Sequence, residues 1–135
     1  MLPSNPDRRG IRILLVDDEY DSGLSIKLIL EAVGYNVDIF TNPKEVLSLF
    51  APNYYDLLLL DIRMPGINGF ELYQKLIEMD GMCKVCFITA FEAYYESLLE
   101  FFPAIDVKCF IRKPVSQVDL ITHVLRELNL DSLPK

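Results

Sequence analysis

The sequence predicts an α/β fold, a doubly wound parallel sheet built from five consecutive β/α units, and three observations lead there. Short apolar runs that read as strands alternate with longer segments whose apolar residues recur at helical spacing. No internal repeat, low-complexity tract or linker interrupts that alternation. The chain is 135 residues long, enough for one sizeable core and too short for a second domain of ordinary size.

The elements follow in order. Ile11 to Val16 is an apolar run broken only by Arg12, as suits a strand covered on both faces. A helix is predicted from about Ser22 to Val33, where Ile26, Ile29, Leu30 and Val33 share a face and Gly34 is the stop. Asn36 to Phe40 is half polar, which places it at a sheet edge. Asn42, Pro43 and Glu45 supply an N-cap, a proline at the first helical position and a glutamate at the third, opening a helix that runs to about Phe50. Leu57 to Leu60 is a short, wholly apolar strand, and the loop Ile62 to Asn68 leads into a helix ending near Met79. Lys84 to Ile88 is the fourth strand, Phe91 to Phe102 the fourth helix and Lys108 to Arg112 the fifth strand. Ser116, with Asp119 three residues later, opens the last helix in the manner of a capping box, ahead of Leu120, Ile121, Val124, Leu125 and Leu128.

Composition narrows the function. Hydrophobic residues at 51% and charged residues at 24% describe an ordinary globular chain. A formal net charge of −7 argues against nucleic acid, whose phosphates need a surplus of Lys and Arg on at least one face. Met1 to Gly10 carries Pro, Asn, Asp and two Arg where a secretory signal needs an apolar stretch, and no run approaches the roughly 18 residues of a membrane span. Residues 1–10 and 129–135 are therefore expected to be tails around a domain over 11–128, in a cytoplasmic protein. Cys83, Cys86 and Cys109 are an odd number without a secreted framework, so reduced thiols are expected. Cys83 and Cys86 form a CxxC, but residues three apart on a strand point to opposite faces and no His completes a metal set nearby; small buried hydrophobes are the expectation.

Right-handed crossovers leave few topologies for five β/α units, and the flavodoxin-like order 2-1-3-4-5 is the one adopted. That order makes strands 1, 3, 4 and 5 neighbours. Asp17, Asp18, Asp61, Thr89 and Lys113 then share the carboxyl edge of the sheet, where open α/β sheets bind ligands. Gathered carboxylates repel, and the usual relief is a hard divalent cation; Mg²⁺ takes one or two carboxylates, a carbonyl and several waters. A carboxylate can itself be the nucleophile and form an acyl phosphate. An ammonium such as Lys113 and a hydroxyl such as Thr89 balance charge on phosphoryl oxygens.

These residues also carry a resemblance. VDDE at Val16 to Glu19, LLDIRMPGINGFEL at Leu59 to Leu72, ITA at Ile88 to Ala90 and KP at Lys113 and Pro114 closely resemble the receiver domain of two-component response regulators, over about Ile11 to Leu128. The resemblance implies phosphorelay signalling in which Asp61 accepts a phosphoryl group from a histidine kinase or a histidine phosphotransfer protein. It implies Mg²⁺ held by Asp18 and Asp61 directly, by Asp17 mainly through water and by the backbone carbonyl of Arg63. It pairs Lys113 with the acyl phosphate, lets Thr89 move inward to hydrogen-bond it, couples Thr89 to a switch aromatic at Phe110, and makes the bond before Pro114 commonly cis. The chain would not be an enzyme on separate substrates; it would catalyse only its own phosphorylation and dephosphorylation. The face made by the fourth helix, the fifth strand and the last helix would change on phosphorylation and meet a downstream protein or a second copy.

Plainer readings compete at several positions. An Asp pair after a strand is usually a turn signal, Pro65, Gly66 and Gly69 are turn punctuation, and His123 is a surface or half-buried residue with no partner marking it as a phosphoryl donor. In the fourth helix Phe91, Tyr94 or Tyr95, Leu98 and Phe102 make one stripe, and Leu99 and Phe101 fall off it; either a partner or dimer face, or a wide core contact, accounts for that. A phosphatase of the haloacid dehalogenase type needs a second Asp two residues after its nucleophile, where this chain has Arg63. A module that kept the fold without the chemistry would lack some of the acids or the lysine, and none is missing. A stand-alone receiver and one cut from a longer protein both fit, and the bulk of Arg63 and Phe91 beside the attacking-water route predicts slow loss of the phosphoryl group.

Overall fold

β1 (Arg12–Val16) and β3 (Leu57–Asp61) are the most apolar runs in the chain, and they lie side by side in parallel at the centre of one sheet. The computed structural model, which describes residues 10–90 and 109–128, adds β2 (Asn36–Phe40) beyond β1, then β4 (Lys84–Thr89) and β5 (Phe110–Arg112) beyond β3. The strands are all parallel, as the alternation predicted, and their order is β2-β1-β3-β4-β5, the flavodoxin-like order adopted from the sequence. β2 is the edge strand its half-polar sequence indicated, with Asn36 and Asp38 exposed.

Alternate side chains of the central strands feed two cores, as the pleat requires. Ile13, Leu15, Leu57, Leu59, Cys86 and Ile88 pack on one face against Ile26 and Leu30 of α1 (Tyr20–Ala32) and Leu120 and Val124 of α4 (Gln117–Glu127). Leu14, Val16, Leu58, Leu60, Val85 and Phe87 pack on the other against Val46 of α2 (Pro43–Leu49) and Phe70, Leu72 and Leu76 of α3 (Gly69–Met79). Leu57 to Leu60 are wholly inaccessible, so β3 needs apolar side chains on both faces.

The helix starts refine the sequence signals. Asn42 caps α2 by accepting from the Lys44 N–H, with Pro43 in the first turn as expected. Ser116 accepts from the Asp119 N–H, so the last helix has one half of the anticipated box. A complete box opens α3: Asn68 accepts from the Glu71 N–H at 2.9 Å and the Glu71 carboxylate accepts from the Asn68 N–H at 3.1 Å. The sequence reading had placed Asn68 in a loop without that role. α1 begins at Tyr20, two residues before the expected start, and Glu19 makes no side-chain cap.

The expectation of three reduced cysteines is corrected. Phe87 and Phe110 are register partners, so Cys86 and Cys109, one residue earlier, lie side by side on the same face and form a disulfide with a Cα–Cα distance of 4.6 Å. Cys83 is the free, buried thiol and belongs to the opposite core, as the strand argument required. The expected helix over Phe91 to Phe102, with its apolar stripe, lies outside the described residues, as do Lys108 and the residues of both tails other than Gly10.

Candidate functional site

Four strands end together. β1 pairs with β3 at Val16 and Leu60, which brings the next residues, Asp17 and Asp61, to one edge, and β4 ends there at Thr89, whose partner Arg112 directly precedes Lys113. Asp17 is fully buried, and its Oδ1 accepts from the Glu19 N–H at 2.9 Å. That bond folds the chain back so that Asp18 projects to solvent. Asp61 is 6% exposed and its Oδ1 accepts from the Arg63 N–H at 3.3 Å. Oxygens of Asp17, Asp18 and Asp61 all lie within 4.8 Å of one another.

Lys113 answers this crowding. Its Nζ donates to Asp17 Oδ2 at 2.9 Å and to Asp61 Oδ2 at 3.3 Å, across 96 and 52 residues of sequence. Burial pushes the Asp61 carboxyl up to about 6, against the opposing pull of the Lys113 charge and with a further push from Asp17. Burial alone would lower the Lys113 ammonium, but its hydrogen bond to Asp17 and the charges of Asp61 and Asp17 outweigh that and hold its pKa above the ordinary value. The Lys113–Pro114 bond is cis, as the resemblance implied.

Asp18, Asp61 and Lys113 line a cavity of about 540 Å³ together with Glu19, Arg63, Met64 and Pro65. Gly66 in the same loop has φ +82°, a conformation open to glycine and costly for other residues. Glu19 lines this cavity, and the sequence reading gave it no role; its one signal was its place directly after Asp17 and Asp18. The donor set fits a divalent cation: at full ionisation three carboxylates and one ammonium leave two negative charges, and all the acid ligands are hard oxygens.

Of the other expected residues, Thr89 ends β4 at this edge and its side chain lies outside what the structure describes. Phe110 is half-buried in β5, its ring stacked on Phe87 at 5.7 Å and edge-on to Phe70 at 6.4 Å. His123 is half-buried in α4, away from the acids in sequence and element, as the plainer reading had it. No described helix is long and apolar enough to cross a membrane.

Comparison with known proteins meets the same picture. The chain is 32% identical over 114 residues to the transcriptional regulatory protein RprY of Bacteroides fragilis, an alignment covering 84% of this chain and 48% of that protein, so it spans about half the length of this curated relative. The solved receiver domain of HemR from Leptospira biflexa superposes with a TM-score of 0.76 at 31% identity, covering 93% of this chain and 98% of that one. A CheY-like receiver domain protein from Methanospirillum hungatei gives a TM-score of 0.76 at 31% identity over 88% of this chain and 94% of that one. The three clustered acids are the triad typical of a receiver magnesium site. The response regulator receiver domain model matches residues 13–125, and the chain therefore belongs to that family, the phosphoacceptor modules of two-component signalling.

Proposed function

We propose that this chain is a phosphorelay switch in which Asp61 takes a phosphoryl group from the phosphohistidine of a histidine kinase or phosphotransfer protein. The observation that carries the reading is the Asp61 carboxylate itself, nearly buried at a strand end, held by the Lys113 ammonium and flanked by Asp17 and Asp18. An Asp61 oxygen attacks phosphorus, the P–N bond breaks, and the imidazole leaves with its electron pair and takes up a proton. The product is an acyl phosphate; water later attacks the same phosphorus, the P–O bond to Asp61 breaks, and inorganic phosphate leaves as the carboxylate is restored. Lys113 stabilises charge on the transferred oxygens from a position set by its bond to Asp17.

Asp18 and Asp61, with the Arg63 carbonyl, would hold Mg²⁺, and Asp17 would bind it mainly through water. When bound, the cation supplies the positive charge that lets an anionic donor approach three carboxylates. Thr89 and Phe110 relay the change: the hydroxyl turns toward the phosphoryl group, and the Phe110 ring, half-buried against Phe87, moves into the space released. The receiver domain covers 11–128 in this reading, works in the cytoplasm, alone or within a longer regulator, and passes its signal to a protein target or a second copy through the face of β5, α4 and the predicted helix over 91–102.

Incubation with a small acyl phosphate and Mg²⁺, followed by intact-mass measurement, tests this. The wild type should gain one phosphoryl group and Asp61→Asn should gain none. Equal labelling of both proteins would remove Asp61 from the acceptor role.

A further inference from the structure

The phosphoryl chemistry makes no use of Cys86 and Cys109, yet the sheet register sets them in bonding position. Both belong to the core between the sheet and α4, with Leu120 and Val124, and their Cα atoms are 4.6 Å apart, within the range a disulfide spans. Their sequence separation is 23, so the bond closes a covalent ring that contains Thr89 and all of the stretch 91–108. Cys86 stands three residues before Thr89, and Cys109 four before Lys113, so the link lies roughly 10–13 Å below the acidic edge at about 3.3 Å per strand residue.

The surroundings suit both redox states. Thiols behave as small hydrophobes, so opening the bond leaves no unpaired polar group in an apolar core. A Glu127 oxygen lies within 4.8 Å of both sulfurs, and Glu127, in the last turn of α4, is half-buried and gives the pair a polar edge. Cys83 cannot take part without unpairing β4, because it faces the opposite core, where it is bonded to Asp80 at 3.2 Å.

We propose that Cys86 and Cys109 are a reversible redox site, and that its state, by tying β4 to β5, sets the rate at which Asp61 is phosphorylated; this second part rests on the function proposed above. In reduction a thiolate of a small dithiol attacks the sulfur of Cys109, the more exposed of the two residues at 5% against none for Cys86. The S–S bond breaks and Cys86 leaves as a thiolate that takes up a proton. The second thiolate of the dithiol then closes its own disulfide and releases Cys109, so two electrons pass from the dithiol to the protein. Oxidised glutathione reverses the exchange. With the bond closed, β4 and β5 are tied covalently below the site.

The test uses the full chain, oxidised with glutathione disulfide or reduced with dithiothreitol, then quenched in acid and alkylated in denaturant. Intact mass should count one alkylated cysteine after oxidation and three after reduction, with circular dichroism unchanged, and the Cys83→Ala variant should count none and two. Hydrogen exchange in peptides covering β4 and β5 should be several-fold faster in the reduced form, and Cys109→Ala should match the reduced wild type under either treatment. Three free thiols after oxidation, or a bond that opens only when the protein unfolds, would overturn the redox site. Loading Asp61 from a small acyl phosphate should then proceed at rates differing several-fold between the two states; equal rates overturn the coupling. If Asp61 takes no phosphoryl group in either state, the phosphorelay reading fails, and the thiol count still decides the redox site.

Discussion

Asp80 joins two stretches of chain, the turn at Asn53 and its own loop from 80 to 83, through one buried carboxylate. Its oxygens accept from the Asn53 N–H at 2.7 Å, the Met82 N–H at 3.0 Å and the Cys83 thiol at 3.2 Å. The bond from Asn53, a residue at φ +67°, leads the effects that hold the carboxyl below its ordinary pKa. A carboxyl whose folded pKa is depressed contributes stability that is present above the unfolded value, near 4, and is lost as pH falls through the folded value. Asp80→Ala should therefore cost about 1–3 kcal/mol at neutral pH by leaving buried donors unpaired. The deficit should shrink below about pH 4 as the wild type loses the same interaction, which urea denaturation at pH 7 and pH 3 would measure. Arg63, on the cavity wall two residues after Asp61, bears on lifetime. Arg63→Ala keeps the backbone N–H that Asp61 accepts from and removes the bulk, so decay of the acyl phosphate should quicken about 3–10-fold, roughly 1 kcal/mol of barrier. An unchanged decay rate would show that Arg63 does not shield the phosphoryl group.

At the scale of the element, α3 is tied directly to the site. Its first residue, Gly69, donates to the Ile62 carbonyl at 2.8 Å, and a Cβ there would overlap the Asp61 carbonyl oxygen. Gly69→Ala must push the α3 start away from β3, at about 1–3 kcal/mol as overpacking usually costs, and should shift Asp61 enough to slow its loading. A thermal melt and a loading time course on the same sample would check both effects; normal stability would mean that the helix yields without cost. In the sequence, Gly69 read as turn punctuation, because its reason is a contact with a strand end eight residues earlier. The alternation of β and α was legible since each strand and helix signals by its own period. Asp17, Asp18, Asp61 and Lys113 were legible as a cluster since parallel β/α order forces strand ends to one edge. The Cys86–Cys109 bond was not, because pairing depends on register between two strands and no local pattern encodes that register.

Across the whole molecule, Lys113 is the member that balances the site's charge and links its most distant strands. With the ammonium in place, three carboxylates carry a net two negative charges at full ionisation; without it they carry three, one of them on the fully inaccessible Asp17. Removing one partner of a buried pair typically costs about 3–5 kcal/mol, since the remaining charge keeps its desolvation penalty. Lys113→Ala should accordingly unfold at much lower urea than the wild type when EDTA keeps the solution free of divalent cations. A cation that binds only the folded state adds about 2.7 kcal/mol at a hundredfold excess over its dissociation constant. Because the variant offers a more negative cluster, its midpoint should rise further than that of the wild type on addition of Mg²⁺, recovering much of the loss without restoring phosphoryl transfer. Equal gains in the two proteins would mean that Lys113 and the cation do not share the same electrostatic load. A smaller gain in the variant would mean that Lys113 helps to shape the cation site, not only to neutralise it.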